Sequence, residues 1–595
     1  MLLQALREFA GSDQSGQPRM YQSQPIRYMI DLDAGGTFLG IVDTSDPKDP
    51  AAKSGKRIDA PYIKRANAVA PQLLADTGEY LLGLPDTNKG QARADRTAIM
   101  HRAAIELVEE CLQATGNPYV GAVATFMAGL DVTALALPYA FDPAGKATFR
   151  VDGVLPIELP VVQEFWGRRF DLAEGGDGPK LDCIACGELR PVLKRQPLKI
   201  KGIIGGQSTG TDLISANEDA YFSYGLENSL IAPVCVSCAE QYSTALNRLL
   251  ADRDKHHLRA GNVEFLVWTR APSVFNPLTL VSDPDEAQVR ALVNSARSGK
   301  AGGAQNIAHD RFFAMALGAN GSRVAVLSWI DTTTSEVQEH LIRYFDLQSL
   351  VDQYGAVGAP MALWRLGKAT VRKGSKDQPD DVVTRSLLRL AFAGDPLPLD
   401  VMVQVLRRLR AEGGGVALDQ PRAAMIKMVL GSQPGATPEE RMQMTELNET
   451  NVTPAYLCGR LLAVLDSIQR QALGNPNATI IDRYYGAAST APASVFGTLL
   501  HGSQNHLGKL RKSSRGAYAA LEHRLEEVMT PMTEFPRTLT LQEQGMFALG
   551  FYHQRANDRA QRQERYRDRA GLLPDPVEAA SEDEEQSGAG ESNSQ

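Results

Sequence analysis

No stretch of this chain strings together the ~18 apolar residues that a bilayer-crossing helix needs, so a spanning segment is not expected. The first residues, Met1-Leu2-Leu3-Gln4-Ala5-Leu6-Arg7, lack the basic opening, the long apolar stretch and the small-residue cleavage site of a secretory signal. The cytoplasm is the expected address. Histidine is scarce, nine in 595 residues, and none recurs at the spacing of a helical metal site such as His-Glu-x-x-His. The Gly-Lys-Ser/Thr ending that gives a phosphate loop its lysine and its magnesium ligand is also missing. No pair of carboxylates stands out as an acid and a base. These absences favour a binding protein over an enzyme.

What is present begins with length and charge. A chain of 595 residues exceeds one hydrophobic core and predicts three to five domains of ~100–200 residues each. The net charge of −8 is unevenly spread, because residues 571–595 carry seven acidic groups and no basic one. That tail is rich in Ser, Gly and Glu and reads as disordered. Residues 445–570 hold 15 Lys and Arg against 12 Asp and Glu, so the acidic total does not argue against a nucleic-acid partner.

The periodicities predict an α+β chain: a mixed N-terminal region with a zinc-binding insert, then an all-α C-terminal bundle. Apolar runs at 28–33 and 37–42 flank Ala34-Gly35-Gly36 and read as a hairpin. A helix is expected near 92–114, a strand at 262–269, and a second hairpin turning at Asn320-Gly321. Helical spacing sets in from about 386, 411–440 reads as a loose connection, and four helices follow. Thr540-Leu541-Gln542-Glu543 is a capping-box pattern opening the last of them. The expected domains are 1–150, 151–260, 261–440, 441–570 and the tail 571–595.

Four of the six cysteines form two pairs, Cys183-x-x-Cys186 and Cys235-x-x-Cys238. A two-residue gap lets two thiolates from one tight turn take adjacent corners of a tetrahedron, and two such turns complete a structural Zn²⁺ site. Unrelated buried cysteines and a redox pair are the alternatives. The loop Asp31–Thr37 resembles the phosphate loop of sugar kinases, and an ordinary hairpin turn is the simpler reading. Gly205-Gly206-Gln207-Ser208-Thr209-Gly210 follows a basic stretch that includes Lys199 and Lys201. Its successive amides and side chains suit a phosphodiester or a base edge. In the bundle, Lys509, Arg511, Lys512 and Arg515 cluster, and Arg555, Arg559 and Arg562 share a helical face, as solvated surface or as phosphate contacts.

Several segments together resemble the large subunits of type I-C CRISPR Cascade complexes. They include KGIIGGQSTG at 201–210, LISAN at 213–217, AYFSYG at 220–225 and YSTALN at 242–247. EYLLG at 79–83, GDPLP at 394–398, NVTPAYL at 451–457, DRYYG at 482–486, PASVF at 492–496 and QGMFALGFYHQR at 544–555 continue the series in order. The resemblance implies a non-catalytic subunit that recognises the PAM in double-stranded target DNA, aids duplex opening, stabilises the R-loop and presents the target to a separate helicase-nuclease. Guide RNA and other Cascade subunits are the implied partners. In such families the bundle is also made alone as a small subunit by internal translation, which makes Met442 and Met444, or Met425 and Met428, candidate starts. The double Cys-x-x-Cys departs from the family pattern. Candidate PAM and DNA contacts are Lys64, Arg65, Asn67 and Gln72 in the N-terminal basic segment, and Lys201, Gln207, Ser208 and Thr209 in the loop. These residue types can pair with base edges: amides with adenine, Lys and Arg with guanine. Candidate backbone contacts are Lys509, Arg511, Lys512, Arg515, Arg555 and Arg559. The rival classes are a nucleotide-hydrolysing sugar-kinase-like enzyme using Asp31–Thr37, and an RNA-processing nuclease.

Overall fold

A computed structural model describes residues 2–570 apart from 13–17, 47, 50–52, 64, 66–68, 87–89, 133–134, 139–140, 173–178, 217, 272, 274, 299–309, 414–417 and 475. The acidic tail, Lys64 and Asn67 lie outside the described residues. The fold is mixed, strands gathering in the first 333 residues and, among the described residues, helices as the only named elements thereafter. The chain divides into two compact units. One comprises Met1–Arg253, Arg270–Pro272 and Leu317–Leu327, the other Asp254–Thr269, Ser273–Ala316 and Ser328–Gln595.

The first unit is built on a four-stranded sheet in the order Phe38–Asp43, Tyr28–Leu32, Lys146–Val151, Ala75–Thr77. The expected hairpin is its first pair, with Tyr28 opposite Asp43. Tyr28–Leu32 runs parallel to Lys146–Val151, which demands a long crossover. The helices Gln91–Thr115 and Pro118–Ala128 supply it. Gly36 is required at the hairpin turn, because a Cβ there would meet the carbonyl oxygen of Ala122 at 2.5 Å. The core joins Ile30, Leu32, Phe149, Val151, Val123 and Leu107, all buried. A two-stranded ribbon, Tyr21–Ile26 with Lys56–Pro61, lies antiparallel beside it.

The second unit holds the strands His257–Ala260 and Val263–Thr269 and most of the hairpin Arg311–Asn320 with Arg323–Thr333. That hairpin turns at Gly321, whose φ of 61° suits glycine. The helices Thr334–Gln348, Asp381–Ala393 and Leu399–Ala411 follow. The expected loose connection at 411–440 is corrected here. It contains the helix Gln420–Ser432, buried along nearly its whole length. Burial on every face leaves no polar side, so the amphipathic period that marks a helix is absent from the sequence. The four expected bundle helices are Pro454–Leu473, Phe496–Ser513, Arg515–Met529 and Leu541–Ala570. Thr540 and Glu543 cap the last reciprocally.

Candidate metal centre and cationic surface

Cys183 and Cys186 sit in the turn joining the short antiparallel strands Lys180–Asp182 and Leu189–Pro191. The turn is closed by the amide of Gly187 donating to the Cys183 carbonyl at 2.7 Å, with Gly187 at φ 75°. Cys235 caps the helix Val236–Ala251 and Cys238 lies in its first turn. The four sulfur-bearing side chains meet with all Sγ atoms within 4.8 Å of one another. None forms a disulfide. The Cys235 amide donates to the Cys183 sulfur at 3.4 Å. A hydrogen bond from the Cys238 thiol pulls the Cys235 thiol down to about 5, while the same bond and burial push Cys238 up. One thiolate is therefore already favoured, and a cation would remove the remaining protons. The donor set fits a closed four-sulfur metal site such as that of structural zinc, with no position left for substrate.

The helix that begins at this centre organises its surroundings. Arg7 donates to the Ala185 carbonyl at 2.7 Å and to Gln241 at 3.1 Å, fixing the helix Leu2–Ser12 beside the cysteine turn. The buried carboxylate of Glu240 receives Arg19 at 3.1 Å and the amide of Met20. Tyr242 donates to Gln196 at 2.5 Å. Three turns beyond the cysteines, Asn247 accepts from the Lys201 amide at 2.9 Å and donates to the Lys199 carbonyl at 3.0 Å.

Those two contacts hold the neck of the glycine-rich loop. Ile200 and Thr211 exchange both backbone hydrogen bonds at 2.8 Å, so residues 201–210 project as a closed loop. Gly202, Gly205 and Gly210 all have positive φ, and Gln207, Ser208 and Thr209 are exposed. Gly206-Gln207-Ser208-Thr209-Gly210 also spells the Gly-x-Ser-x-Gly of a hydrolase nucleophile elbow, which requires a sharp strand-to-helix turn. Here the segment is a loop returning to its own neck, and among the described residues no helix begins directly at its end.

One sequence candidate, Lys201, and a second lysine far from it in the chain, Lys146, converge on one tyrosine ring beside this loop. The ammonium groups of Lys146 and Lys201 lie 6.0 and 5.7 Å from the centre of the Tyr62 ring. Lys201 is solvent-exposed, yet partial desolvation by its surroundings and the nearby Arg57 hold it below the usual lysine range. Burial brings Lys146 down to about 8. Arg57 donates only to Ser23, through neutral oxygens, among the described residues. The carboxylates facing the cluster are Asp76, bound to Arg65, and Asp212, bound to Lys199 at 2.6 Å. Among these described residues, cations outnumber carboxylates. Arg65 and Gln72 differ from their expected roles as base readers. Arg65 forks onto Asp76 and stacks 4.0 Å over Tyr80. Gln72 is buried, donates to Ile63 and accepts from Lys146 at 3.0 Å. Lys146 is the member the sequence did not disclose, because a lone lysine opening a strand carries no local signal.

Comparison with known proteins bears on what this surface serves. Residues 2–558 match the family described as CRISPR-associated protein (Cas_Csd1). The chain belongs to this family. A search of curated proteins gives no match. For a Cas_Csd1 chain the remaining candidates sort clearly. Lys509, Arg511, Lys512 and Arg515 are all exposed at the end of the helix Phe496–Ser513 and the start of the next. The stripe on the last helix is half sunk at Arg555 and Arg559 and exposed at Arg562. The Arg555 guanidinium lies 5.2 Å over Phe551, and burial lowers it to about 10. Arg559 reaches Gln353 at 3.5 Å. In the loop Asp31–Thr37, Asp31 is forked onto Arg150 at 2.7 Å, and Asp33 accepts the Thr37 amide at 2.7 Å. Asp31 is held by the neighbouring parallel strand and the Thr37 amide by the hairpin turn, so no geometry favours the kinase reading. Among the described residues no helix is long and apolar enough to cross a membrane.

Proposed function

We propose that this Cas_Csd1 protein is the large, non-catalytic subunit of a type I-C RNA-guided surveillance complex. It recognises the PAM of double-stranded target DNA, aids duplex opening and R-loop stabilisation, and hands the target to a separate helicase-nuclease. The observation that carries the reading is the family match over residues 2–558. The partners are guide RNA, target DNA, other Cascade subunits and the small subunit. The exposed loop residues Gln207, Ser208 and Thr209 are the base readers in this reading. Lys201 with Arg57 holds the phosphate backbone beside them, and Lys509, Arg511, Lys512 and Arg515 hold a strand elsewhere. The four cysteines bind Zn²⁺, which anchors the helix whose Asn247 holds the loop neck.

The test is reconstitution with guide RNA and the neighbouring subunits, followed by binding to duplexes of randomised PAM. Gln207→Ala relaxes discrimination at one position by about 1–3 kcal/mol. Lys201→Ala weakens all duplexes alike and lowers the salt slope by about 1. Recovery of the chain without guide RNA or neighbouring subunits would overturn the reading. Equal affinity for every PAM sequence would remove PAM recognition from it.

A further inference from the structure

Residues 218–228 form a small, mostly exposed hairpin turn in the first unit, its tip between the 3-10 turns Asp219–Tyr221 and Asn228–Ile231. Ser223 and Leu226 bridge antiparallel, with the Leu226 amide donating to the Ser223 carbonyl at 2.9 Å. Between them Tyr224 and Gly225 both have positive φ, 52° and 72°, the combination of a type I′ turn. Asn or Gly ordinarily fills the first of these positions, since L side chains rarely adopt it. The hairpin instead carries a tyrosine there, and its side chain is 99% exposed. Asn228, where the hairpin returns, is a second non-glycine residue at positive φ. Tyr221 at the base is stacked 4.2 Å under the Arg323 guanidinium. A fully exposed ring held in an unfavourable backbone conformation contributes no packing to its own chain. Strain of that kind collects where a side chain is kept for a contact elsewhere.

The charge of the hairpin selects the partner. Glu218, Asp219 and Glu227 are exposed, and residues 218–228 include no Lys or Arg. With three exposed carboxylates and no basic residue of its own, the segment disfavours a nucleic-acid strand, unlike the Lys201 loop, and the neighbouring Arg323 guanidinium is stacked on Tyr221. A fully exposed tyrosine on an acidic segment matches a protein pocket, apolar at its floor and rimmed with Lys or Arg. We infer that the Tyr224 hairpin is a docking finger for another protein subunit of the assembly, one that presents a basic-rimmed apolar pocket. This rests on the proposed function above.

The experiment uses the full chain co-expressed with guide RNA and the neighbouring subunits, carrying a benzophenone amino acid at position 224. Irradiation is expected to link the chain to a protein subunit. A link to RNA or DNA, or no link in an intact complex, would overturn the inference. In parallel, Tyr224→Asn keeps the turn, for which Asn is better suited, and removes the ring. It is expected to weaken incorporation into the complex at least tenfold, with Tyr224→Phe near wild type and duplex affinity of the isolated chain unchanged. Incorporation of Tyr224→Asn within twofold of wild type would sink the idea. Failure of the wild-type chain itself to assemble would instead strike the functional reading, and the docking finger with it.

Discussion

Lys146 and Lys201 stand 55 positions apart in the chain, yet both bring their ammonium groups within about 6 Å of one tyrosine ring, that of Tyr62. One opens a strand of the main sheet and the other opens the glycine-rich loop. The pair joins the N-terminal domain to the loop in a single positive surface. Burial, with Lys201 adding repulsion, lowers the proton affinity of Lys146 within it.

Lys146 titrates at about 8 because it is buried, with Arg65 and Lys201 adding repulsion and Asp76 opposing it. Below that pH it is charged and adds to the potential a phosphate meets. Above it the charge is lost well before an ordinary lysine at ~10.4. Duplex affinity of the chain is therefore expected to fall between pH 7 and 9, with a shallower salt dependence at the upper end. Lys146→Arg, which stays charged, flattens that profile. Fluorescence anisotropy at the two pH values checks it, and equal profiles for both proteins would refute the assignment. The stability sign is opposite. A lysine with a depressed folded value loses a penalty as pH climbs, so the fold gains stability from about 8 toward the unfolded value.

The cysteine site gives the second expectation. Metal analysis of protein prepared without chelator should find one zinc per chain, and Cys235→Ser or Cys186→Ser should abolish it. Small zinc modules draw about 10–16 kcal/mol of apparent folding free energy from their metal. Chelation should therefore lower the thermal transition of the first unit and free the loop through the helix Val236–Ala251. Hydrogen exchange at residues 199–211 reads that release. Unchanged exchange after metal removal would show that Asn247 holds the neck without help from the centre.

These contrasts also explain what the sequence disclosed. The cysteine quartet was legible because tetrahedral coordination imposes a two-residue gap that survives as a string. The Asn320-Gly321 turn and the Thr540 capping box were legible for the same reason, since local geometry dictates local residue choice. The helix Gln420–Ser432 was not, because Arg422 and Lys427 are buried within it alongside Met425, Ile426 and Met428. Polar residues at such positions mimic a solvated segment. Arg422 donates to Val371 and Glu412, and Lys427 to Ser349 and Thr445. Gln72 misled in the other direction, since an amide suited to adenine is equally suited to hold a buried lysine. Partners distant in sequence decide such cases, and no local pattern records them.

A buried histidine predicts acid sensitivity of the second unit. His553 is fully enclosed, and burial lowers it to about 3 with Lys427 adding repulsion. Its Nδ1 lies 3.0 Å from the Tyr456 hydroxyl across the two longest bundle helices. The neutral ring is favoured in the fold, so its contribution is complete above the unfolded value of ~6.5 and is lost as pH falls toward 3. The unfolding free energy from denaturant titration should drop by an amount on the order of a few kcal/mol between pH 7 and 4. His553→Gln should show less of that drop. A variant as acid-sensitive as the wild type would move the cause elsewhere.

The same helix pair closes on two reciprocal glycines. A Cβ on Gly459 would sit 2.0 Å from the Phe547 carbonyl oxygen, and one on Gly550 would sit 2.3 Å from that of Tyr456. The helices Pro454–Leu473 and Leu541–Ala570 therefore approach backbone to backbone. That approach brings Arg460 to Gln554 at 3.0 Å and Ser467 to Asp558 at 3.2 Å in the buried seam. Gly459→Ala must push the helices apart, separating those partners as well as the apolar contacts, and is expected to cost about 1–3 kcal/mol or more. Gly497→Ala is the matched control. It also lies in a helix but has open space around its Cβ position, so the gain in helix propensity of about 1 kcal/mol acts alone. Urea midpoints of the two variants should move in opposite directions. If Gly459→Ala were neutral, the seam would be loose enough to absorb a methyl group, and the polar ladder along it could not be held in register by the glycines.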